Sequence, residues 1–196
     1  MVETMSKFGV PLGEGLGRGG LLQPKYKYRF RVIVNNFGPI SGGIQLTQQV
    51  QSVSKPKLTQ EPIAVHSYNS VAYYAGKHSW GEIELAVKDD VTNSVSALIG
   101  YQVQKQLNHL EQTGPMAGQN YKFNMYIEVL DGGDTVVLEQ WYLEGCFLQN
   151  VDYQDLDYSV SEFQQIRMTI RCDNATQTGG LFPDNPEFFP GSNLTG

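Results

Sequence analysis

Apolar and polar residues alternate with a period of two over most of this chain. That pattern commits it to antiparallel strands with one buried face. Tyr26, Tyr28, Phe30, Val32 and Val34 alternate with Lys25, Lys27, Arg29 and Arg31, which predicts a half-buried strand with a basic outer face. Residues 44–54 continue the strand character with a glutamine-rich polar face. Over residues 80–87, Ile83, Leu85 and Val87 alternate with Glu82, Glu84 and Ala86. Residues 121–130 and 135–142 read as a hairpin about the turn Asp131-Gly132-Gly133-Asp134. Residues 145–151 and 164–172 add two more strands. Pro56 and Pro62 must sit at strand ends or edges, because proline cannot donate to a ladder. One segment departs from the period. Val95, Leu98, Ile99, Val103, Leu107 and Leu110 fall at helical spacing, behind Asn93 as a helix cap and ahead of Gly114-Pro115 as a stop. The expected fold is mainly β, an antiparallel sandwich or barrel with one flanking amphipathic helix that covers a sheet edge or barrel mouth.

At 196 residues the chain has room for one domain, and 40% hydrophobic residues supply one well-buried core. Residues 9–23 hold six glycines and no periodicity, and residues 178–196 are rich in Gly, Pro and Asn with Phe182, Phe188 and Phe189. The expected organisation is a glycine-rich arm over 1–23, a β domain over 24–176 and a C-terminal arm over 177–196. No run approaches the roughly 18 apolar residues of a membrane span, and the stretch 1–7 lacks the apolar core of a secretory signal. Neither stable membrane binding nor secretion is expected. Charged residues are only 17%, and the net charge of −6 is unevenly placed. Residues 1–60 carry eight Lys/Arg against two Asp/Glu, and residues 121–196 carry three against twelve. An acidic chain does not suit tight nucleic-acid binding, whereas a polarised one suits contact between copies, basic part to acidic part.

No chemistry-bearing constellation emerges. His66, His78 and His109 lie at no metal-ligand spacing, and Cys146 and Cys172 form no CxxC pair. Asp152, Asp155 and Asp157 lack the glycine and glutamate of a calcium loop and read as a solvated acidic turn. No serine sits in a nucleophile elbow. No catalytic residue, metal or cofactor is expected.

Several stretches occur in a telling order. They are Ser52-Val53-Ser54-Lys55-Pro56, then Trp80 opening a strand, then Lys88-Asp89-Asp90-Val91-Thr92-Asn93 before a helix. Trp141-Tyr142-Leu143-Glu144-Gly145 follows, and last an alternating strand, Ile166 to Cys172, ending at Asp173. Over residues 25–175 this order resembles the tail tube proteins of bacteriophages with contractile tails, which are related to the type VI secretion tube. Lys77-His78-Ser79-Trp80 spaces the lysine differently from that family's Lys-x-Trp strand. The resemblance implies structural roles for Val53, Pro56, Trp80, Asp89, Asn93, Trp141, Gly145 and Asp173. It implies six copies closing into a ring and rings stacking head to tail into a rigid tube. The implied partners are further copies of the chain, a tail sheath, baseplate and tail-terminator proteins, and DNA passing transiently down the bore. The implied location is the tail of a virion assembled in the bacterial cytoplasm. The inner tube of a secretion or injection apparatus and a tube-end adaptor are close alternatives, and a monomeric β-sandwich binding module is one of a different class.

Two expectations concern contacts between copies. Residues 54–79, with Pro56, Tyr68, Tyr73 and Tyr74 beside few charges, form an extended loop or hairpin that reaches a neighbour. Lys25, Lys27, Arg29 and Arg31 meet acidic groups of another copy, while acidic character concentrates on the bore and one ring face.

Overall fold

The computed structural model describes residues 24–39, 43–131 and 136–178. In chain order the elements are β1 (Phe30–Asn35), α1 (Gly43–Gln49), β2 (Val50–Val53), β3 (Leu58–Ser67), β4 (Ser70–Trp80), β5 (Ile83–Lys88), α2 (Ser94–Gln106), β6 (Phe123–Leu130), β7 (Val137–Asp152), β8 (Gln165–Arg171) and β9 (Asn174–Thr178). Six strands are hydrogen-bonded in the order β1-β6-β7-β8-β5-β2, with β9 added to β7, and every pairing is antiparallel. Among the described residues β3 and β4 pair only with each other. The mainly β architecture with a flanking helix is the expected one.

The sheet folds over because β7 changes sides. Its first half pairs with β6 and β9, and its second half pairs with β8. The switch is at Gly145, which has φ +63°, a left-handed conformation that side chains disfavour. A Cβ there would also press on the Asp173 carboxylate, which would have to move aside. Glu139 and Leu143 face inward before the switch, Cys146 and Leu148 after it, so the inward phase moves from odd to even positions. Residues 135–142 and 145–151, read as two strands, belong to one strand, Val137–Asp152, with this kink.

The folded-over sheet encloses one core. Val32 and Val34 of β1, Met125 and Ile127 of β6, and Ile166, Met168 and Ile170 of β8 are all buried. Ile83, Leu85 and Val87 of β5 join them, as the alternation requires. Phe37 and Phe123 close one end edge-to-face, with ring centres 4.9 Å apart. Helix α2 turns Val95, Leu98 and Ile99 into this core.

α2 also contributes two glutamines. Gln102 is fully buried, and its side chain accepts from Gly38 N–H and donates to the Tyr121 carbonyl. Gln106 donates to the Leu148 carbonyl and accepts from Leu148 N–H, at 2.9 and 2.8 Å. It imitates a strand neighbour at that edge of β7, so the helix does cover a sheet edge. No helix among the described residues is long and apolar enough to cross a membrane.

Five readings need correction. Residues 43–49 form a helix, α1, and only Val50–Val53 form the expected strand. The segment's glutamines and threonine carry little preference either way, and packing of α1 on β1 and α2, with Leu46 fully buried, decides it. Residues 25–29 are not strand, because β1 begins at Phe30 and its partner β6 ends at Leu130, whose N–H bonds Arg29 O. Trp80 closes β4 and does not open β5. Asn93 stands at the start of α2 in a left-handed conformation without a side-chain cap. Asp90 caps in its place, accepting from Ser94 N–H and Oγ at 3.0 and 2.8 Å. Hydrogen bonds from Thr92 and Ser94 hold the Asp90 carboxyl below its ordinary range. α2 stops at Gln106, before 107–110, and Asn108 and Thr113 close a tight loop behind it. The expected arm at 1–23, residues 179–196 of the arm expected at 177–196, and residues 132–134 of the expected turn lie outside the described residues, and β9 runs two residues into the expected second arm.

Candidate functional site

The β3–β4 hairpin stands apart from the core. All ten residues of β3 are exposed. Opposite residues of an antiparallel pair share a face. Ile63 lies opposite Tyr74 and Val65 opposite Ala72 on one face, while Ala64 lies opposite Tyr73 and His66 opposite Val71 on the other. Both faces are therefore apolar and both are in solvent. Tyr68, at φ +47° in the turn, is fully exposed. A bulge between Gln60 and Pro62 lets the proline stand in the strand without leaving a ladder bond unmade. The segment expected to be an extended hairpin is one.

The root of this arm is anchored to the sheet by a buried carboxylate. Glu139 sits on an inward position of β7, and its side chain is 10% exposed. It accepts from Lys25 Nζ at 3.0 Å, Lys55 Nζ at 2.7 Å and the Trp141 indole at 2.7 Å. Burial pushes the carboxyl up, but the Lys55, Lys25 and Trp141 hydrogen bonds outweigh it and hold it at about 2. Lys55 precedes the buried Pro56, which leads into β3. Trp141 meets Trp80, the last residue of β4, edge-to-face at 6.4 Å. Both strands of the arm are thus tied at their bases to one point on β7. Among the described residues the buried Trp80 indole N–H has no hydrogen-bond partner. Val53 packs half-buried against the core just ahead of this point.

Beside the root lies a cleft of about 760 Å³ between β1 and β2, the two ends of the strand order. Its floor is apolar, with Val50, Val53, Ile127 and Val129. Its rim carries Lys25, Lys27, Arg29, Arg31, Lys55 and Lys88. Arg31 is bonded to Glu128, which Gln140 also contacts. The Arg29 guanidinium donates to the Asp131 carbonyl and lies over the rings of Tyr26 and Tyr28. The Lys27 and Lys88 side chains make no hydrogen bond or ion pair among the described residues.

At the other end of β7, residues 153–164 form an exposed acidic segment. Asp152 accepts from Gln154 N–H, and Asp157 accepts from Ser159 N–H and Oγ, so the aspartates build local turns. Leu156, Tyr158 and Phe163 are at least four-fifths exposed. Among the described residues no group of three or more His, Cys, Asp or Glu could hold a metal. The two cysteines are buried thiols, and burial pushes Cys146 up to about 12.

Two more residues that the sequence singles out make local contacts. Asp89 accepts from Asp90 N–H at the start of the α2 approach. Asp173 pairs with Lys122 and lies against Gly145. Sequence reading missed Glu139 and Glu128. Glu139 did leave a signal, because it shares the inward phase of Trp141 and Leu143, and a carboxylate there demands cations. Glu128 left none, since it lies on the outer face of β6 and is buried by Arg31 and Gln140 reaching over it.

No protein-family model matches the sequence, and no curated relative matches it. Solved structures do. A chain of the PVC extracellular contractile injection system, from its sheath–tube complex in the extended state, is 18% identical with a TM-score of 0.61, over 80% of this chain and 92% of that one. A chain from the anti-feeding prophage baseplate is 16% identical with a TM-score of 0.60, over 81% and 98%. The SPP1 tail tube is 10% identical with a TM-score of 0.54, over 84% of both. The fold is that of tail tube and injection-system tube proteins, as the order of motifs implied.

Proposed function

We propose that this chain is a structural subunit of the inner tube of a contractile tail or injection system, six copies closing into a ring and rings stacking head to tail. The observation that carries the reading is the β3–β4 arm. An isolated two-stranded hairpin is marginal in water, and this one exposes apolar residues on both faces. Such a surface calls for a partner on each side. A neighbouring copy, in a ring or in the next ring, supplies both. The open edges at β1 and β2 add to the argument, since strands closing edge to edge around a ring remove an aggregation hazard. A sheath, a baseplate and a tube terminator are the further partners of this assembly. In the phage version, DNA passes down the bore and the location is the virion tail.

The likeness to a chain of the anti-feeding prophage baseplate supports a second placement, as an adaptor ring at the tube end. Negative-stain microscopy of the purified chain over a concentration series tests both. Long striated tubes support the tube body, single rings that do not stack support the adaptor, and dispersed particles at every concentration favour a monomeric binding module.

A further inference from the structure

We infer that the cleft between β1 and β2 receives the acidic segment 153–164 of a second copy of this chain. This inference rests on the tube reading and specifies one of its contacts. The two surfaces are complementary in kind. The cleft has an apolar floor under six cations, and the two carboxylates bonded to them, Glu128 and Glu139, answer only Lys25, Lys55 and Arg31. Lys27 and Lys88 have no partner among the described residues, and Arg29 finds a carbonyl and two tyrosine rings. The segment offers the reverse, with Asp155, Asp157 and Glu162 and no cation, beside exposed Leu156, Tyr158 and Phe163. Apolar side chains would fill the floor while carboxylates meet the rim, which is how charge fixes the register of an interface whose area supplies the affinity.

On the β1 side of the cleft, placement argues for a contact between copies. Glu139, near the start of β7, holds Lys25 and Lys55 of the rim, whereas the acidic segment leaves the far end of β7 after Asp152. The β2 side differs, since Lys88 pairs in register with Gln165, and Gln51 and Ser52 of the cleft also line a pocket with Asp152 and Gln165, the residues that flank the segment. Lys27 is therefore the diagnostic position. A contact that joins one end of a strand to the opposite end of the same strand in the next copy is heterologous and repeats, so it adds subunits in one direction.

The test is a charge swap in the full chain. Lys27→Glu/Lys88→Glu and Asp155→Lys/Glu162→Lys each change exposed side chains that hold no partner among the described residues, and circular dichroism should match the unaltered chain. Each double variant alone should lower the assembled fraction at low salt at least tenfold, by sedimentation, and the two mixed together or combined in one chain should restore it to within about threefold. Like charges brought together at an interface have effects of this size. Tubes forming normally from either double variant would overturn the inference and leave the tube reading standing. Dispersed particles from the unaltered chain would overturn both.

Carbodiimide cross-linking of a mixture of ¹⁴N and ¹⁵N chains gives an independent reading, with Lys27 joined to Asp155 or Glu162 across isotopes as the expected product. Lys27 joined to Glu3 or Glu14 within one molecule would assign the cleft to the chain's own N-terminal segment. Retention of a DNA oligonucleotide that Lys27→Glu/Lys88→Glu abolishes would assign it to phosphate. Either result overturns the inference.

Discussion

β3 and β5 are both antiparallel strands rich in apolar residues, but their surroundings are opposite. β5 reads buried and open in turn, with Ile83, Leu85 and Val87 inside, while no residue of β3 is buried at all. Backbone pairing alone therefore makes a strand and leaves its cover undetermined. In the sheet the cover comes from the same chain. In the arm no such cover is present among the described residues. Stability of the monomer and capacity to assemble should accordingly lie in different residues, and four experiments press on that separation.

The largest effect expected is deletion of residues 63–74. Ile63 and Tyr74 are opposite each other, so the cut shortens the hairpin without disturbing its base. Tubes should disappear from negative-stain fields while the urea midpoint of the monomer stays where it was. A deletion that still forms normal tubes would break the comparison.

Leu85→Ala should destabilise the monomer by about 2–5 kcal/mol, the range for emptying a buried leucine site. Val65→Ala, the same kind of change in the arm, should stay within about 0.5 kcal/mol in the same urea titration yet slow assembly. Equal costs in both would erase the distinction.

Glu139→Gln probes the joint between the two regions. Loss of the charge weakens three hydrogen bonds, at about 2 kcal/mol for bonds to an ionised group. The folded carboxyl titrates at about 2, below its ordinary 4.5. Its contribution is full above pH 4.5 and is lost as pH falls from 4.5 toward 2. The unaltered monomer should weaken across that window, and Glu139→Gln should flatten that part of the curve.

The smallest effect is expected from Tyr68→Ser, at the fully exposed turn. Melting of the monomer should not change, and only the rate of assembly should fall. A shift in the melt would show that the arm tip folds back on its own sheet.

The sequence was most legible where one period ran unbroken. β5, β6 and β8 followed from alternation, and α2 from its 3.6-residue stripe. The hairpin at residues 58–80 was legible from Pro56, Pro62 and the tyrosines that follow. α1 was hidden because one buried leucine in a run of glutamines marks no period. The continuity of β7 was hidden for a different reason. Gly145 shifts the inward phase by one residue, and a shift of phase in sequence looks like the end of one strand and the start of another. The cap of α2 moved from Asn93 to Asp90 because the chain turns left-handed at Asn93 and brings the earlier carboxylate to Ser94. Of the site, the basic residues and the arm were visible. The carboxylates that bind Lys25, Lys55 and Arg31 come from β6 and β7, about a hundred residues away, and only the fold brings them there.

Gly145 also bears on how the molecule carries load. β7 is unbroken through the kink and is bonded to β6 and β9 below it and β8 above it. The two halves of the sheet share this one spine, so neither can be pulled off the other without rupturing its ladders. A pull along the spine stresses those bonds sideways and many at once, whereas a pull across it would open them singly, like a zipper. In a stack of rings driven endwise, the stiffness of each subunit would then depend on which way β7 points relative to the thrust.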